Sequence, residues 1–500
     1  MRIRPPPPPA LDSNSAPSLP VMQLPRLRPA FIAALLVATP WLPAANVRDF
    51  GARGDGIADD TAAVEAAVRA AADGTVEFPR GRYRLTRTVE VALATAGPLG
   101  ITGRAGAATV VMAGPGPAFR FIGSHDRGTA DPRSVRPGTR DQERLPVVAD
   151  LEITGAHPEA DGVEFRHTLQ PTIRGVLIRQ VRHGLHFTGR NRNVLIHASH
   201  LYDCHGIGVF LDAVNIHQII IGDSHLSYCR QGGIKVVASE IRNFQITGND
   251  IEYNFAPGGP PVADIWFDLA GTGSVREGTI SGNTIQALQS PGGANLRFTG
   301  IPGNPLQVGV WSITGNHFAS QETSIHLADA AGVTITGNTF LRGFTHHLLI
   351  ERSRNIIVSG NILDRNADYF PPGTAARGGI VVDRSTAVLI SQNLIEGVEA
   401  GSPEAGGAVL VSGSREVSVL GNQIRAPRFR GLHVRGSTNV QVADNLVTEE
   451  PGRERMLAAV ELEGECPGTV VRGNLLARGR NGSVVNRATG ATVTPPDLAR

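Results

Sequence analysis

A short motif recurs through the second half of the chain and limits the fold more than any other feature. An apolar run ends in Gly-Asn, or in a close variant of it, and more apolar residues follow. The shared asparagines are Asn249, Asn283, Asn316, Asn338, Asn361, Asn393, Asn422, Asn445 and Asn474. Upstream, Ser199 and Asp223 fill the same slot. The steps between asparagines are 22 or 23 residues, or 29 to 34 residues, which is typical of a solenoid whose basic coil carries loop insertions.

Each unit also contains a second short strand that starts at a glycine and alternates apolar residues. The starting glycines are Gly162, Gly184, Gly206, Gly233, Gly379 and Gly431. No single unit can bury its own apolar face, whereas units stacked about 4.8 Å apart form one continuous core. Asparagine tolerates the left-handed backbone conformation at a bend, and stacked asparagines can hydrogen-bond from coil to coil. The sequence therefore predicts an all-β chain folded as a parallel β-helix.

The two ends of the chain differ from the repeat. Residues 1–21 are rich in Pro and Ser and are predicted to be disordered, and residues 22–45 have the charge and apolar pattern of a signal peptide. We therefore expect a secreted or periplasmic protein. Residues 60–72 have helical periodicity and precede two strands, which predicts a capping helix within residues 46–90. The repeats form one domain over residues 46–487, and residues 488–500 are predicted to be a tail.

Composition excludes several classes of protein. The chain of 500 residues has 47 Lys and Arg against 45 Asp and Glu, and a net charge of +2 is too small to suggest nucleic-acid binding. Three cysteines exclude a disulfide-rich scaffold and offer no paired zinc motif. Cys204 and Cys229 occupy equivalent places in successive units, so we expect them to lie close together, either as a disulfide or as two thiols.

Residues 46–71 and 74–85 carry a specific resemblance. Their Asp-Gly-Ile-Ala-Asp-Asp-Thr run and their Thr-Val-Glu-Phe-Pro-Arg-Gly-Arg-Tyr segment resemble the opening of the pectate-lyase-like β-helix proteins. That superfamily includes rhamnogalacturonases, polygalacturonases, alginate C5-epimerases and phage tailspikes, and with the repeats the resemblance extends over residues 46–486. It implies a right-handed β-helix with an N-terminal capping helix and a polysaccharide as partner. It does not fix the reaction, because the opening motif belongs to the cap.

The active-site motifs of the better-known branches match only in part. Asp161, His205 and Lys235 can be placed on the polygalacturonase pattern, but His183 and Gly184 stand where that pattern has an acid pair. Inverting hydrolysis needs two carboxyl groups, so this departure disfavours ordinary polygalacturonase chemistry. The strand that begins at His183 is similar to the alginate-epimerase motif, again without its acid.

Aligning adjacent strands predicts which side chains meet on one outward face of the coil. The column just before the strand contains Asp161, His183, His205 and Gly232. The column within the strand contains Glu164, His186, Gly208, Lys235 and Trp266. Neighbours in a column are expected about 4.8 Å apart. The patch would combine carboxylates, imidazoles and an ammonium with an aromatic ring that can stack on a sugar.

Lys235 is the only lysine in the chain and the candidate base of this patch. Burial lowers the pKa of an ammonium and lets it accept a proton. β-Elimination from a uronic acid needs such a base, a cation for the sugar carboxylate and a proton donor for the leaving oxygen. Arg230 or Arg242 is the candidate cation, and His186 or His205 the candidate acid. A solvated surface lysine is the alternative interpretation.

Two further acidic residues are candidates for catalysis or for binding a metal ion. Asp250 and Glu252 follow the most polar copy of the repeat and are reserve candidates for acid–base work. Together with Asp264 they offer oxygen ligands of the kind that Ca²⁺ takes, although no resident cofactor is predicted. A metal site from Asp161, His183 and His205 has no supporting motif.

The sequence thus favours a carbohydrate-active protein that works by lyase or glycoside hydrolase chemistry. The alternatives are a C5-epimerase and a β-helix that binds carbohydrate, or serves a structural role at a surface, without catalysis. The expected partner is a polysaccharide, not nucleic acid or, after removal of the signal peptide, a membrane. Either a monomer or a homotrimer is compatible with the sequence, since tailspike relatives are trimers.

Overall fold

The chain winds into stacked coils whose strands align into three long sheets. The computed structural model describes residues 44–128, 131–370, 373–452, 455–494 and 497–498. Neighbouring strands of successive coils pair in parallel throughout each sheet. This arrangement confirms the predicted right-handed parallel β-helix. The predicted leader and signal peptide, apart from the last two positions, lie outside the described residues.

Each complete coil contributes one strand to each sheet, in the order first, second, third. The first sheet contains Val89–Ala92, Gly116–Ile122, Ala160–Arg166, Leu185–Thr188, Val209–Asp212, Ile234–Val237, Ala263–Asp268, Ala294–Thr299, Thr323–Ala328, His346–Glu351, Ile380–Asp383, Val409–Ser412, Arg430–Arg435, Ala458–Arg472 and Val484–Val493, the last two of which also extend the second sheet. The second sheet contains Ala45–Asn46, Thr75–Phe78, Gly100–Gly103, Val147–Ala149, Thr172–Arg174, Arg190–His197, Asn215–Gly222, Glu240–Thr247, Ser274–Ser281, Val308–Thr314, Ala331–Thr336, Arg354–Ser359, Thr386–Ser391, Arg415–Leu420 and Thr438–Ala443. The third sheet contains Asp55–Asp59, Gly81–Leu85, Ala108–Met112, Glu152–Gly155, Leu177–Arg179, His200–Tyr202, His225–Ser227, Asp250–Glu252, Thr284–Gln286, His317–Ala319, Thr339–Leu341, Ile362–Asp364, Leu394–Glu396, Gln423–Arg425, Leu446–Thr448, Leu475–Leu476 and Asp497–Leu498.

The predicted capping helix spans Thr61–Ala70 and covers the open end of the first coil. It buries Val64, Ala67 and Val68 in the core. The Asp60 carboxylate, just before the helix, accepts the backbone N–H groups of Arg53 and Gly54 at 2.6 and 3.2 Å, so it orders the preceding loop. The other helices are short: α-helices Leu93–Ala96 and Pro137–Gln142, and 3-10 helices Val47–Phe50, Pro132–Ser134, Pro305–Gln307 and Ala367–Tyr369. Among the described residues, no helix has the length and apolar character needed to span a membrane.

The repeated asparagines form a ladder inside the corner between the second and third sheets. The backbone N–H and side-chain amide of each one donate to the Oδ1 atom of the next, as Asn283 does to Asn316 at 3.0 and 2.9 Å. The left-handed residue is not the asparagine, as the sequence suggested, but the residue before it, such as Gly315 at φ +64°. Glycine is frequent there because it has no Cβ to collide in that conformation.

Two serines extend the asparagine ladder towards the N-terminus. Ser224 Oγ accepts the backbone N–H of Ser199 at 3.2 Å, and Asn249 Oδ1 accepts that of Ser224 at 3.1 Å. The assignment of Asp223 to this slot was wrong by one residue. Asp223 is instead the exposed left-handed residue, at φ +51°.

Coil length varies at the two turns that border the first sheet. Those that lead from the first sheet into the second range from residues 213–214 to longer segments such as residues 300–307. Between residues 197 and 475, every turn from the second to the third sheet has two residues, such as Gly248 and Asn249. The turns that lead from the third sheet into the first range from residues 320–322 to residues 365–379. The long steps of the asparagine repeat therefore reflect insertions that border the first sheet. At the C-terminus, Val484–Val493 continues the sheets past residue 487, where the sequence predicted the tail to begin.

Stacked side chains fill the interior of the coil. Phe165 and Phe187 are parallel with ring centroids 5.2 Å apart, and inward aliphatic residues continue the core in both directions. Cys204 and Cys229 lie in adjacent coils, as predicted, and are buried free thiols rather than a disulfide. The neighbouring Cys229 side chain, together with burial, raises the pKa of Cys204 well above its ordinary value.

Candidate functional site

The outward face of the first sheet contains the largest number of the predicted site residues. The strand register stacks one outward residue from each coil in a continuous column: Glu90, Arg120, Glu164, His186, Phe210, Lys235, Trp266, Arg297 and His326. A second column, two residues further along each strand, contains Arg166, Thr188, Asp212, Val237, Asp268 and Thr299. We refer to these two columns as the first-sheet face.

The structure corrects the predicted register in one coil. Phe210, not Gly208, stands between His186 and Lys235 in the column. In the column before the strand, His183 is followed by Ile207, whose backbone N–H reaches His183 Nδ1 at 3.3 Å. His205 is therefore exposed in the turn and stands outside the predicted column. The turn is two residues longer than the sequence alignment assumed.

Asp161 and Glu164 are bound by arginines and do not present free carboxylates. Both oxygens of Asp161 accept from the Arg182 guanidinium, at 2.9 and 2.6 Å. Glu164 accepts from Arg120 at 2.7 Å and from Arg166 at 2.6 Å. Burial alone would raise the pKa of Glu164, but the two guanidiniums lower it below its usual range. Glu164 is therefore not placed to exchange a proton near neutral pH.

His186 and Phe210 form the middle of the first-sheet face, and His183 lies beside them in the column before the strand. His186 stacks on Phe210 with centroids 5.0 Å apart and an interplanar angle of 6°. The His183 ring lies 5.9 Å from the His186 ring and 5.0 Å from the Phe210 ring. Burial lowers the pKa of His183 to about 4, so this imidazole is neutral at physiological pH. His186 Nε2 lies 3.4 Å from Asp212 Oδ2, a carboxylate that the sequence analysis did not identify.

Lys235 lies between two aromatic residues at the next positions of the column. Its Nζ atom is 4.2 Å from the centroid of the Trp266 ring and 4.0 Å from Asp268 Oδ2. Burial lowers the pKa of Lys235, and the nearby Asp268 carboxylate offsets part of that effect. The ammonium is therefore a stronger proton-transfer candidate than a solvated lysine.

Arg297 approaches the same tryptophan from the following coil. Its guanidinium carbon lies 5.2 Å from the Trp266 centroid, and burial lowers its pKa. Trp266 donates its indole N–H to Thr299 Oγ1 at 3.0 Å, which fixes the ring between the two cations. The expected stacking of a sugar on Trp266 gains no support, because Lys235 and Arg297 both lie against the ring. Extending the predicted column by one coil would have identified Arg297.

The remaining predicted residues lie elsewhere on the coil. Arg230 is exposed in a turn before the first sheet, with Asp203 4.0 Å away. Arg242 lies on the second sheet and donates to the carbonyls of Ile241 and Ser274, so it does not share a surface with Lys235. The reserve acids Asp250 and Glu252 lie on the third sheet. The expected cation partners are therefore replaced on this face by Arg297.

Asp264, the third oxygen ligand of the suggested Ca²⁺ site, is separated from the other two. It is buried, and its two oxygens accept from Asn254 and Asn295. Burial raises the pKa of Asp264 to about 7. The third side chain with a possible metal-ligating atom near Asp250 and Glu252 is His225.

Comparison with known families agrees with the architecture. A family model described as the right handed beta helix region matches residues 147–285 and 268–424, which together exceed half of the chain. A second model, described as rhamnogalacturonase A/epimerase, pectate lyase-like, matches residues 44–114. The chain therefore belongs to the right-handed β-helix proteins of the pectate-lyase-like superfamily.

Individual relatives match over short stretches. Mannuronan C5-epimerase AlgE1 of Azotobacter vinelandii is 57% identical over 44 residues, 8% of this chain and 3% of the relative. Alginate lyase 7 of the same organism is 33% identical over 140 residues, 25% of this chain and 16% of the relative. The pre-mature gene product 12 of bacteriophage phi29 has 14% identity and a TM-score of 0.54 over 89% of this chain and 57% of that one, a likeness of fold alone. The chain thus spans only a small part of the length of the curated relatives.

Proposed function

We propose that the protein is a polysaccharide lyase that acts on a uronic-acid polymer along the first-sheet face. The observation that carries the proposal is Lys235, a half-buried amine of lowered pKa that lies against the Trp266 ring together with Arg297. Support for the substrate class comes from the two alginate-active relatives, because alginate is a polymer of uronic acids. Secretion, as the predicted signal peptide suggests, would bring the protein to such polymers.

The chemistry assigned to this face is β-elimination. Neutral Lys235 takes the proton at C5 of a uronate, the C5–H electron pair becomes the C4–C5 double bond, and the bond from C4 to the glycosidic oxygen breaks. Arg297 pairs with the sugar carboxylate and stabilises the charge that develops on it. The proton donor must be close to the base, but His186 is two coils from Lys235, about 10 Å along the sheet. Lys235 itself therefore returns the proton to the leaving oxygen.

His186 and Asp212 then serve as a binding pair for a neighbouring sugar unit. Their separation of 3.4 Å lets one group orient the other, and both face outward from adjacent strands. An extended polymer that runs across the coils would meet this pair, then Phe210, then Lys235 and Arg297. His205 and Arg242, which the sequence offered as acid and cation, have no place in this arrangement.

The test is incubation of the full-length protein with alginate, pectate and a neutral glucan. Elimination is expected to give ultraviolet absorbance from the unsaturated uronate on the acidic polymers. Lys235→Ala should lower kcat by about 10² to 10⁴, the usual contribution of a general base. Lys235→Arg keeps the positive charge but stays protonated, so it should bind the polymer and fail to cleave it. Arg242→Ala, on the second sheet, is the matched control and should leave activity unchanged.

Other products would contradict the proposal in distinct ways. New reducing ends without the ultraviolet absorbance would indicate hydrolysis. A changed uronate composition at constant chain length would indicate a C5-epimerase. Polymer binding without any product after long incubation would indicate a carbohydrate-binding β-helix, and full activity of Lys235→Ala would remove the proposed base.

A further inference from the structure

A second group of chemically active side chains lies on the third sheet, away from the first-sheet face. His225 begins one strand, and Asp250 and Glu252 lie on the strand of the next coil. The register pairs His225 with Asp250, and alternate residues of a strand point to the same side. His225 Nε2 lies 3.5 Å from Asp250 Oδ2 and 3.6 Å from Glu252 Oε1. We propose that these three residues bind a divalent metal ion of the zinc and transition-metal type.

The spacing of the three atoms fits one metal ion. Their ligand atoms all lie within 4.8 Å of one another. Nitrogen and oxygen ligands at 2.0 to 2.1 Å from a tetrahedral ion would be separated by about 3.3 Å. The two imidazole-to-carboxylate distances exceed that value by a few tenths of an ångström, so small side-chain rotations would bring the atoms to bonding distance. Three protein ligands leave a fourth position for water or another ligand.

The negative charge of the two carboxylates also favours the binding of a cation. Elsewhere on this sheet an arginine neutralises the acid, as Arg179 does for Glu152 at 2.6 Å. Among the ion pairs of the described residues, none joins an arginine to Asp250 or Glu252. The two carboxylates therefore have only one imidazole to offset their repulsion.

Neighbouring side chains orient Glu252 and His225, two of the proposed metal ligands. Gln286 donates its side-chain amide to Glu252 Oε2 at 2.7 Å, which leaves Oε1 turned towards His225. Supporting hydrogen bonds of this kind commonly hold metal-binding carboxylates. Ser227 Oγ lies 3.2 Å from His225 Nε2, and a bound metal ion would replace this contact. An imidazole ligand suits Zn²⁺, Co²⁺, Ni²⁺ or Cu²⁺ better than Ca²⁺ or Mg²⁺, which prefer oxygen alone.

The experiment is titration calorimetry of the full-length, chelator-treated protein with Zn²⁺, and separately with Ca²⁺. We expect one equivalent of Zn²⁺ and much weaker Ca²⁺ binding. The visible spectrum of added Co²⁺ should show the strong bands of tetrahedral coordination. His225→Ala and Glu252→Gln should each weaken Zn²⁺ binding by at least about tenfold, and circular dichroism should show that both variants are folded.

His317→Ala is the matched control. His317 lies in the same outward column three coils beyond His225, opposite Thr284 rather than an acid. Its replacement should leave the Zn²⁺ affinity unchanged. Zn²⁺ binding that is absent, that is insensitive to His225→Ala, or that is no stronger than Ca²⁺ binding would overturn the proposal. In that case His225, Asp250 and Glu252 are a polar side-chain cluster of the third sheet without a metal ion.

Discussion

Replacing Asn316 by alanine removes a complete set of contacts from the middle of the asparagine ladder. Asn316 Oδ1 accepts the backbone N–H of Asn283 at 3.0 Å, and its amide donates to the Ile280 carbonyl at 2.9 Å and to Asn338 Oδ1 at 3.0 Å. The side chain is buried, so water cannot take over these bonds without entering the corner. Alanine leaves the Asn283 N–H without its acceptor.

The expected cost follows from the contacts that are lost. One buried donor without an acceptor costs about 1–3 kcal/mol, and each further hydrogen bond contributes about 0.5–1.5 kcal/mol. Asn316→Ala should therefore lower the local unfolding free energy by about 2–6 kcal/mol. Serine is the matched variant, because Ser224 already accepts the backbone N–H of Ser199 in the same ladder. Asn316→Ser should keep an acceptor for the Asn283 backbone N–H, and it should lower the local unfolding free energy by clearly less than Asn316→Ala does.

Hydrogen exchange is the best measurement, because a solenoid can open coil by coil and a single global transition is not assured. The Asn283 amide should exchange fastest in Asn316→Ala, at an intermediate rate in Asn316→Ser and slowest in the unsubstituted chain. Urea unfolding followed by circular dichroism provides the global comparison. A loss below about 0.5 kcal/mol for alanine, or an equal loss for serine and alanine, would refute the ladder's assigned role.

Three further predictions concern titratable groups. Activity that depends on neutral Lys235 should rise with pH as the ammonium loses its proton. Because burial lowers the pKa of Lys235, the rise should level off below pH 10.5, the ordinary pKa of lysine. A pH-independent rate would contradict this. Burial raises the pKa of Asp264 from 3.8 to about 7, so the folded chain holds a proton that the unfolded chain has lost, and stability should fall as pH rises across that interval. Asp264→Asn should abolish this fall, measured by urea unfolding at several pH values, because an amide does not titrate. The new amide can be accommodated, since Asn295 Oδ1 has no hydrogen-bond partner among the described residues. Cys204 and Cys229 should resist thiol reagents until the protein is denatured, when both react without reductant; their failure to react then would indicate a disulfide.

The coil architecture could be predicted from the sequence because one constraint repeats in every turn. The residue that follows the left-handed position must fill the buried corner, and asparagine does so with both its donor and its acceptor. The register around His205 could not be predicted in the same way. Gly206 and Gly208 offer two starting points that differ by two residues, and a shift of two leaves inward and outward positions unchanged. Only the length of the turn distinguishes them.

The repeated alternation of the strands also allowed part of the candidate site to be predicted. His186, Lys235 and Trp266 were placed on one face because their strands share a recognisable alternation. Asp212 and Asp268 were missed because they occupy the second column, which the alignment did not follow. Their sequence signal was present, since both end a first-sheet strand two residues after a column position.

The constant two-residue corner between the second and third sheets has an evolutionary consequence. It keeps successive coils aligned whatever the length of the segments inserted at the two turns that border the first sheet. Segments such as residues 365–379 and 397–408 can therefore lengthen, shorten or be exchanged without altering which side chains meet on the sheets. A lineage built on this frame can change the surroundings of the first-sheet face by replacing loops, while the side chains of that face stay in register.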